Sequence, residues 1–157
     1  MNNDTLDERT DDLASLGAEV EAILHTLRVD VPFDSASVQE LRGGRLVIVG
    51  GVGFDHMEPI LGESFDIHNS DTPNGEVIYR RRPLIVADTE HYRAFRRGLH
   101  VGAGIRSWLG VPLLFGEHLF GMIALDKKEP HFYQPYHEQI AMSLAAQAAE
   151  AMARFRS

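Results

Sequence analysis

The chain carries eight histidines and twenty-three carboxylates, enough for a metal centre or for paired acid–base chemistry, yet it spaces them for neither. No HExxH pair is present and no two histidines sit at ligand spacing on one helix. His131 and His137 straddle Pro135, so they share no regular helix face. Nucleophilic catalysis needs an elbow of the GxSxG kind, which is missing. Gly50-Gly51-Val52-Gly53 has the glycines of a phosphate-cradling loop, but no GK[ST] follows, and glycines leaving a strand read as a bulge or irregular exit. Arg80-Arg81-Arg82 closes a helix, where positive charge complements the helix dipole. The stretch GLHVGAG (Gly98–Gly104) holds His100 among glycines and reads as a mobile lid over a pocket. There His100 could touch a ligand or serve as an axial ligand to haem iron, since an imidazole in an apolar pocket coordinates iron well. No set of catalytic groups emerges, and the chain reads as a non-enzyme.

The elements that position these residues follow from hydrophobic period and punctuation. Residues 1–12 are polar, acidic and expected to be flexible. From Leu13 the apolar positions Leu13, Leu16, Val20, Ile23 and Leu27 form one helical stripe, predicting a helix over 13–30 that stops before Pro32. Ser35–Leu41 alternates as a strand, and Gly43-Gly44 turns it into a second strand, Arg45–Gly50. A short irregular or helical piece is expected at His56–Leu61, then a strand at Glu63–His68. Thr72-Pro73 is a helix start, a hydroxyl cap followed by proline at the first helical position, and that helix should end near Arg81. Leu84–Ala87 is a short strand, and Asp88 or Thr89 should cap a helix over Glu90–Arg97 ended by Gly98. Ile105–Asp126, IRSWLGVPLLFGEHLFGMIALD, reads as a hairpin around a type II′ turn at Gly116-Glu117, with Pro112 at a bulge or an open edge. An Ala-rich helix over 135–156 closes the chain.

This order predicts an α+β fold: a six-stranded, mostly antiparallel sheet covered by helices, in a single domain spanning 1–157. Net charge −8 and a pI near 5.4 disfavour nucleic-acid and membrane-surface partners. With no cysteine, disulfides, thiolate metal sites and cysteine nucleophiles are excluded. The N-terminus lacks a signal-peptide core and no apolar run nears the roughly 18 residues of a membrane span. A soluble, cytoplasmic domain is expected.

Three stretches together resemble the GAF domain, a small-molecule sensing module of signalling proteins: RRRPLIVAD (Arg80–Asp88), SWLGVPLLFGEHLFGMIALD (Ser107–Asp126) and HEQIAMSLAAQAAEAMARF (His137–Phe155). The resemblance implies the terminal helices on one face of the sheet, and short helices and loops forming a ligand pocket on the other. It further implies a non-catalytic regulatory module of a histidine kinase, diguanylate cyclase or transcription regulator. Such a module would form a homodimer through its terminal helices and act on a downstream effector domain. Bilin-binding members attach their chromophore through a cysteine, so a covalent bilin is excluded and any ligand is a non-covalent small molecule of unknown identity. The free methionine sulfoxide reductases of the fold likewise use cysteines. Cyclic-nucleotide members carry an Asn-Lys…Phe…Asp-Glu pattern. Its nearest counterpart here, Asp126-Lys127…Phe132…His137-Glu138, matches only in part.

Mapped on that pocket, the candidate ligand-binding residues are Phe65, Asp66, Asp88, Tyr92, Phe95, Arg96, His100, Ser107 and Trp108. Tyr92, Phe95 and Trp108 would stack on a planar ring, Arg96 or Arg97 would pair with an anionic group, and Asp66, Asp88 or Ser107 would bond to ring edges. Three alternatives stay open: a ligand-free dimerisation and signal-relay module, a haem-binding redox or gas sensor through His100, and a small enzyme on the same fold with titratable groups such as His100 and Asp88 or Asp66 converging in the pocket.

Overall fold

A computed structural model describes residues 3–68, 72–92, 95 and 104–156. Helix α1 runs Asn3–Asp30 and begins upstream of the Leu13 expected as its start. It ends where Val31 N–H donates to Leu27 O and Pro32 forbids another turn. Strands β1 (Ser35–Arg42) and β2 (Arg45–Val52) follow, then β3 (Ser64–Asp66), α2 (Pro73–Arg80), β4 (Leu84–Val86), β5 (Ser107–Phe115), β6 (His118–Lys127) and α3 (Pro135–Arg156).

The six strands form one antiparallel sheet in the order β3-β2-β1-β6-β5-β4. Gly116 has φ +62° while Glu117 stays at negative φ, as a type II′ turn between Phe115 and His118 requires. β4 begins opposite Gly110, so Pro112, two residues on, lies where β5 has an open edge and its missing N–H is harmless. Thr72 Oγ1 accepts from Gly75 N–H and caps α2, with Pro73 in its first turn.

Alternation divides the sheet's side chains between two cores. Ala36 and Val38, Leu109, Val111 and Leu113, and Ile123 and Leu125 face α1 and α3. Ala141, Ala145, Ala148 and Ala149 are fully buried there, and their small size lets α3 lie close on the sheet and on Leu24 and Leu27 of α1. Leu46, Trp108, Met122 and Ala124 face the other way, against Val77 and Ile78 of α2. Both faces of the sheet are therefore covered, one by the paired terminal helices and one by α2.

Two expectations change and one is narrowed. β2 continues through Val52, so Gly50 and Gly51 pair with β1 and only Gly53, at φ +90°, leaves the sheet. The piece at 56–61 is a set of turns, closed by Ile60 and Leu61 N–H on Met57 O. Of the helix expected over Glu90–Arg97, the described part is a 3₁₀ turn, Thr89–His91, followed by an extended Tyr92, and residues 93, 94, 96 and 97 lie outside the described residues. Thr89 anchors the start of that turn. Its N–H goes to Arg106 O and its hydroxyl to Ile105 O, tying it to the β5 lead-in, so the chain departs for the α2 core at Tyr92.

Candidate functional site

The α2 face of the sheet is organised in cross-strand rows. One row runs Ser35–Asp126–Trp108–Val86, the next Gly51–Ser37–Ala124–Gly110–Leu84, and a third Ile48–Gln39–Met122–Pro112. The middle row is small from Gly51 to Gly110, and a ring lies over each of those two glycines. A Cβ on Gly110 would stand 2.3 Å from Trp108 Cη2, and one on Gly51 would stand 3.0 Å from Phe54 Cε2.

Between the rings the floor is polar and buried. Gln39 Nε2 donates to Ser37 Oγ at 3.0 Å, and Gln39 Oε1 accepts from Asn74 Nδ2 at 2.8 Å. The start of α2 is thus tied to the middle of the sheet. At the Ser35 end a cleft of about 740 Å³ opens, lined by Ser35, Phe54, Met57, Ile60, Ile105 and Lys128 among others. Its wall mixes aromatic, thioether and aliphatic surface with the Ser35 hydroxyl, the Lys128 ammonium, the His56 imidazole and the carboxylates of Asp34, Asp55 and Glu58.

Behind Ser35 lies Asp126, only 3% exposed. Ser35 Oγ donates to Asp126 Oδ2 at 2.8 Å. Desolvation in this slot pushes the Asp126 carboxyl up to about 7 against an ordinary 3.8, and the Asp34 charge adds to the rise.

The structure brings four of the expected residues together and separates three others. Phe65, Tyr92, Phe95 and Trp108 all pack in the α2 core. Phe95 and Trp108 meet edge to face, with ring centroids 6.3 Å apart, and Tyr92 Oη bonds to Glu76. Asp66 points to solvent and pairs with His68 Nδ1 at 2.8 Å, and hydrogen bonds from His68 hold its carboxyl below the usual range. Asp88 is committed to Arg106, whose guanidinium donates at 3.1 and 3.3 Å, and to capping Glu90 N–H. The Arg106 hydrogen bonds lower its pKa, the opposite of what a general base needs.

Ser107 is placed on the wrong face for the pocket. It shares its side of β5 with Leu109, Val111 and Leu113, and its hydroxyl donates to Glu129 O at 2.6 Å. Arg96 and His100 lie outside the described residues. Ser35, Ser37, Gln39 and Asp126 were missed by sequence reasoning, although polar residues embedded in apolar strands were there to be read.

Residues 10–153 match the model of the GAF domain family. The chain belongs to the GAF family. No curated protein matches the sequence. Among solved structures, the chain is similar to the GAF domain of an Acinetobacter phosphoenolpyruvate-protein phosphotransferase, at 18% identity over 99% of this chain and 97% of that one, TM-score 0.75. It is also similar to a domain of a putative two-component sensor histidine kinase from Sinorhizobium meliloti 1021, at 22% identity over 89% and 92%, TM-score 0.67. A type II free methionine-R-sulfoxide reductase from Thermoplasma acidophilum matches at 17% identity over 90% and 95%, TM-score 0.73, so the fold also houses enzymes.

Within this GAF domain the partial Asp126-Lys127…Phe132…His137-Glu138 pattern gathers in space. Lys127 Nζ sits 4.8 Å over the Phe132 ring, and Phe132 stacks on His137 at 5.7 Å. The ammonium pairs with Asp34, 3.6 Å away on the other side of the sheet's central seam. Among the described residues no cluster of three or more histidine or acidic side chains is placed to hold a metal ion. None of their helices is long and apolar enough to cross a membrane.

Proposed function

We propose that this GAF domain is a non-catalytic, cytoplasmic small-molecule sensor that dimerises through α1 and α3 and relays ligand occupancy to a downstream effector. What supports the reading is one arrangement: a cleft of about 740 Å³ at the Ser35 end of the α2 face, backed on the opposite face by two terminal helices packed on one another. A ligand in the cleft shifts the helices only if it binds one packing better than the other.

Native mass spectrometry of freshly purified protein tests the sensor. A retained small molecule is expected, and Phe54→Ala, which strips the ring from the cleft wall, is expected to release it. For the dimer, half-buried Ile23 and Leu144 share a groove between α1 and α3. Their replacement by glutamate is expected to give monomers in sedimentation velocity, and an unchanged mass would remove the helices from the interface.

A second reading has an observation of its own. Trp108 lies over Gly110 and meets Phe95, so the aromatic quarter of the face is filled by the protein itself. A chain that retains nothing and gains no thermal midpoint with nucleotides, amino acids or haem would be a ligand-free dimerisation and relay module.

A further inference from the structure

Asp126 is a buried acid that neither the sheet nor a ligand site requires. It ends β6 on the α2 side, in register with Ser35 on β1 and Trp108 on β5. Among the described residues its carboxyl receives one hydrogen bond, from Ser35 Oγ, and no lysine, arginine or histidine stands within ion-pair distance of it. A buried carboxylate with one neutral donor and no counter-ion is strongly disfavoured against the protonated acid.

Of the charged groups near it, Lys127, Arg106 and Arg28 are committed elsewhere. Lys127 Nζ lies 3.6 Å from Asp34 Oδ1 and 3.7 Å from Glu129. Arg106 holds Asp88 and Glu90. Arg28 of α1 donates to the carbonyls of Phe33 and Asp34. Lys128 lines the cleft, and its backbone N–H donates to Asp34 Oδ2 at 2.7 Å. Tyr133 and His137, leading into α3, are neutral near pH 7, both held so by burial. Asp34 is the near negative charge and makes a second one beside it costlier.

The same spot is where both terminal helices join the sheet. Asp34 N–H donates to Asp126 O at 2.8 Å, fixing the corner between α1 and β1. Tyr133 Oη donates to Pro32 O at 3.0 Å, fixing the entry to α3 on that same corner. We propose that Asp126 is a proton-operated joint between the α2 face and the two terminal helices. The protonated acid keeps the corner closed. Ionised, it must recruit Lys127 from Asp34 or admit water past Ser35, and either response loosens the Asp34 corner and with it the seats of α1 and α3. The domain then answers pH near neutrality as an input of its own, whatever ligand the cleft takes. The carboxyl's elevation to about 7 agrees with that working range.

Trp108, the single tryptophan of the chain, faces Asp126 across β5 and β6 and reports on it. Tryptophan fluorescence of the full chain between pH 5 and 9 is expected to show an inflection near pH 7. Asp126→Asn keeps all eight histidines and is expected to abolish it. Ser35→Ala removes the one donor that favours the ionised form and is expected to raise the midpoint by about one pH unit.

Hydrogen exchange, read for wild type against Asp126→Asn at each pH so that intrinsic rates cancel, is expected to show residues 31–36 and 132–138 opening above the inflection in wild type only. An inflection that survives in Asp126→Asn assigns the signal to histidines and overturns the proposal. So does an inflection with equal protection of the two corners in wild type and variant, since Asp126 would then titrate without moving them. Should Asp126→Asn not fold, the Ser35→Ala midpoint decides: an unmoved midpoint overturns the assignment.

Discussion

Replacing Asp126 with asparagine yields the most quantitative prediction. Asparagine has nearly the shape of the protonated acid, and its carbonyl can accept from Ser35 Oγ in place of Oδ2. The two chains then differ chiefly in whether position 126 can ionise. A folded-state pKa of about 7 against an ordinary 3.8 makes ionising Asp126 in the folded chain cost roughly 4 kcal/mol more than in the unfolded one.

The sign follows from the direction of that displacement. The folded state holds its proton more tightly, so the contribution of Asp126 is fully present below about pH 3.8 and is lost as pH rises to about 7. Above that it stays lost. Urea unfolding of both chains at intervals from pH 4 to 9 measures the difference. Wild type is expected to lose roughly 4 kcal/mol relative to Asp126→Asn between pH 4 and 7, then to run parallel to it. Constant offsets from the amide cancel in the slope, and the other titrating groups are common to both chains. A stability difference that stays flat over this range would refute the argument that the slot is nearly closed to solvent and without a counter-ion.

Other perturbations test separate joints of the structure. Gly121 has φ +151°, and a Cβ there would stand 1.9 Å from Gln39 O; Gly121→Ala is expected to cost about 3 kcal/mol or more in denaturant unfolding by forcing apart the central β1–β6 pair. Gly110→Ala drives a methyl into Trp108 and Met122 Cε, so a loss of about 1–3 kcal/mol and a shifted tryptophan emission maximum are expected; an unchanged spectrum would mean the indole does not lie over Gly110. His137 Nδ1 accepts Gln134 N–H at 2.9 Å, at the start of α3. Burial lowers its pKa, so this contribution is present above the ordinary 6.5 and is lost as pH falls below it. Glutamine at that position can keep accepting, so in amide exchange at acid pH the first turn of α3 should fray in wild type and hold in His137→Gln.

The fold was legible because its signals are local and redundant. A stripe on α1, a hydroxyl and proline at the start of α2, a glycine turn between two apolar strands and a run of alanines each name an element without help from its neighbours. The site was legible only where bulk decides. Phe65, Tyr92, Phe95 and Trp108 are large and apolar, and they gather in the α2 core. Ser107 was grouped with Trp108 although neighbours on a strand point to opposite faces, and the period of two sends its hydroxyl under α3. The helix expected from Glu90 opens as a 3₁₀ turn whose Thr89 bonds to residues 105 and 106, a long-range tie with no local trace.

The polar residues of the site raise a sharper issue. Ser35, Ser37 and Gln39 alternate with Ala36 and Val38, which on its own reads as a strand with one face in water. In this sheet both faces are covered, so the alternation marks a polar floor inside a core, with Ser37 and Gln39 buried to within 2%. Which of the two holds depends on whether another layer lies on top, and no window of sequence along β1 contains that layer. Asp126 has the same ambiguity at higher stakes. As the last residue of GMIALD it served as a family signature, and a carboxylate at a strand end reads naturally as solvated. It is interior because its side shares Met122 and Ala124, and because the bond from Lys128 N–H to the Asp34 carboxylate closes the corner above it. The chemistry at this position is therefore produced by the meeting of the two chain segments that carry the terminal helices. A change that parts those segments should relieve the carboxyl, and a change that charges the carboxyl should part the segments.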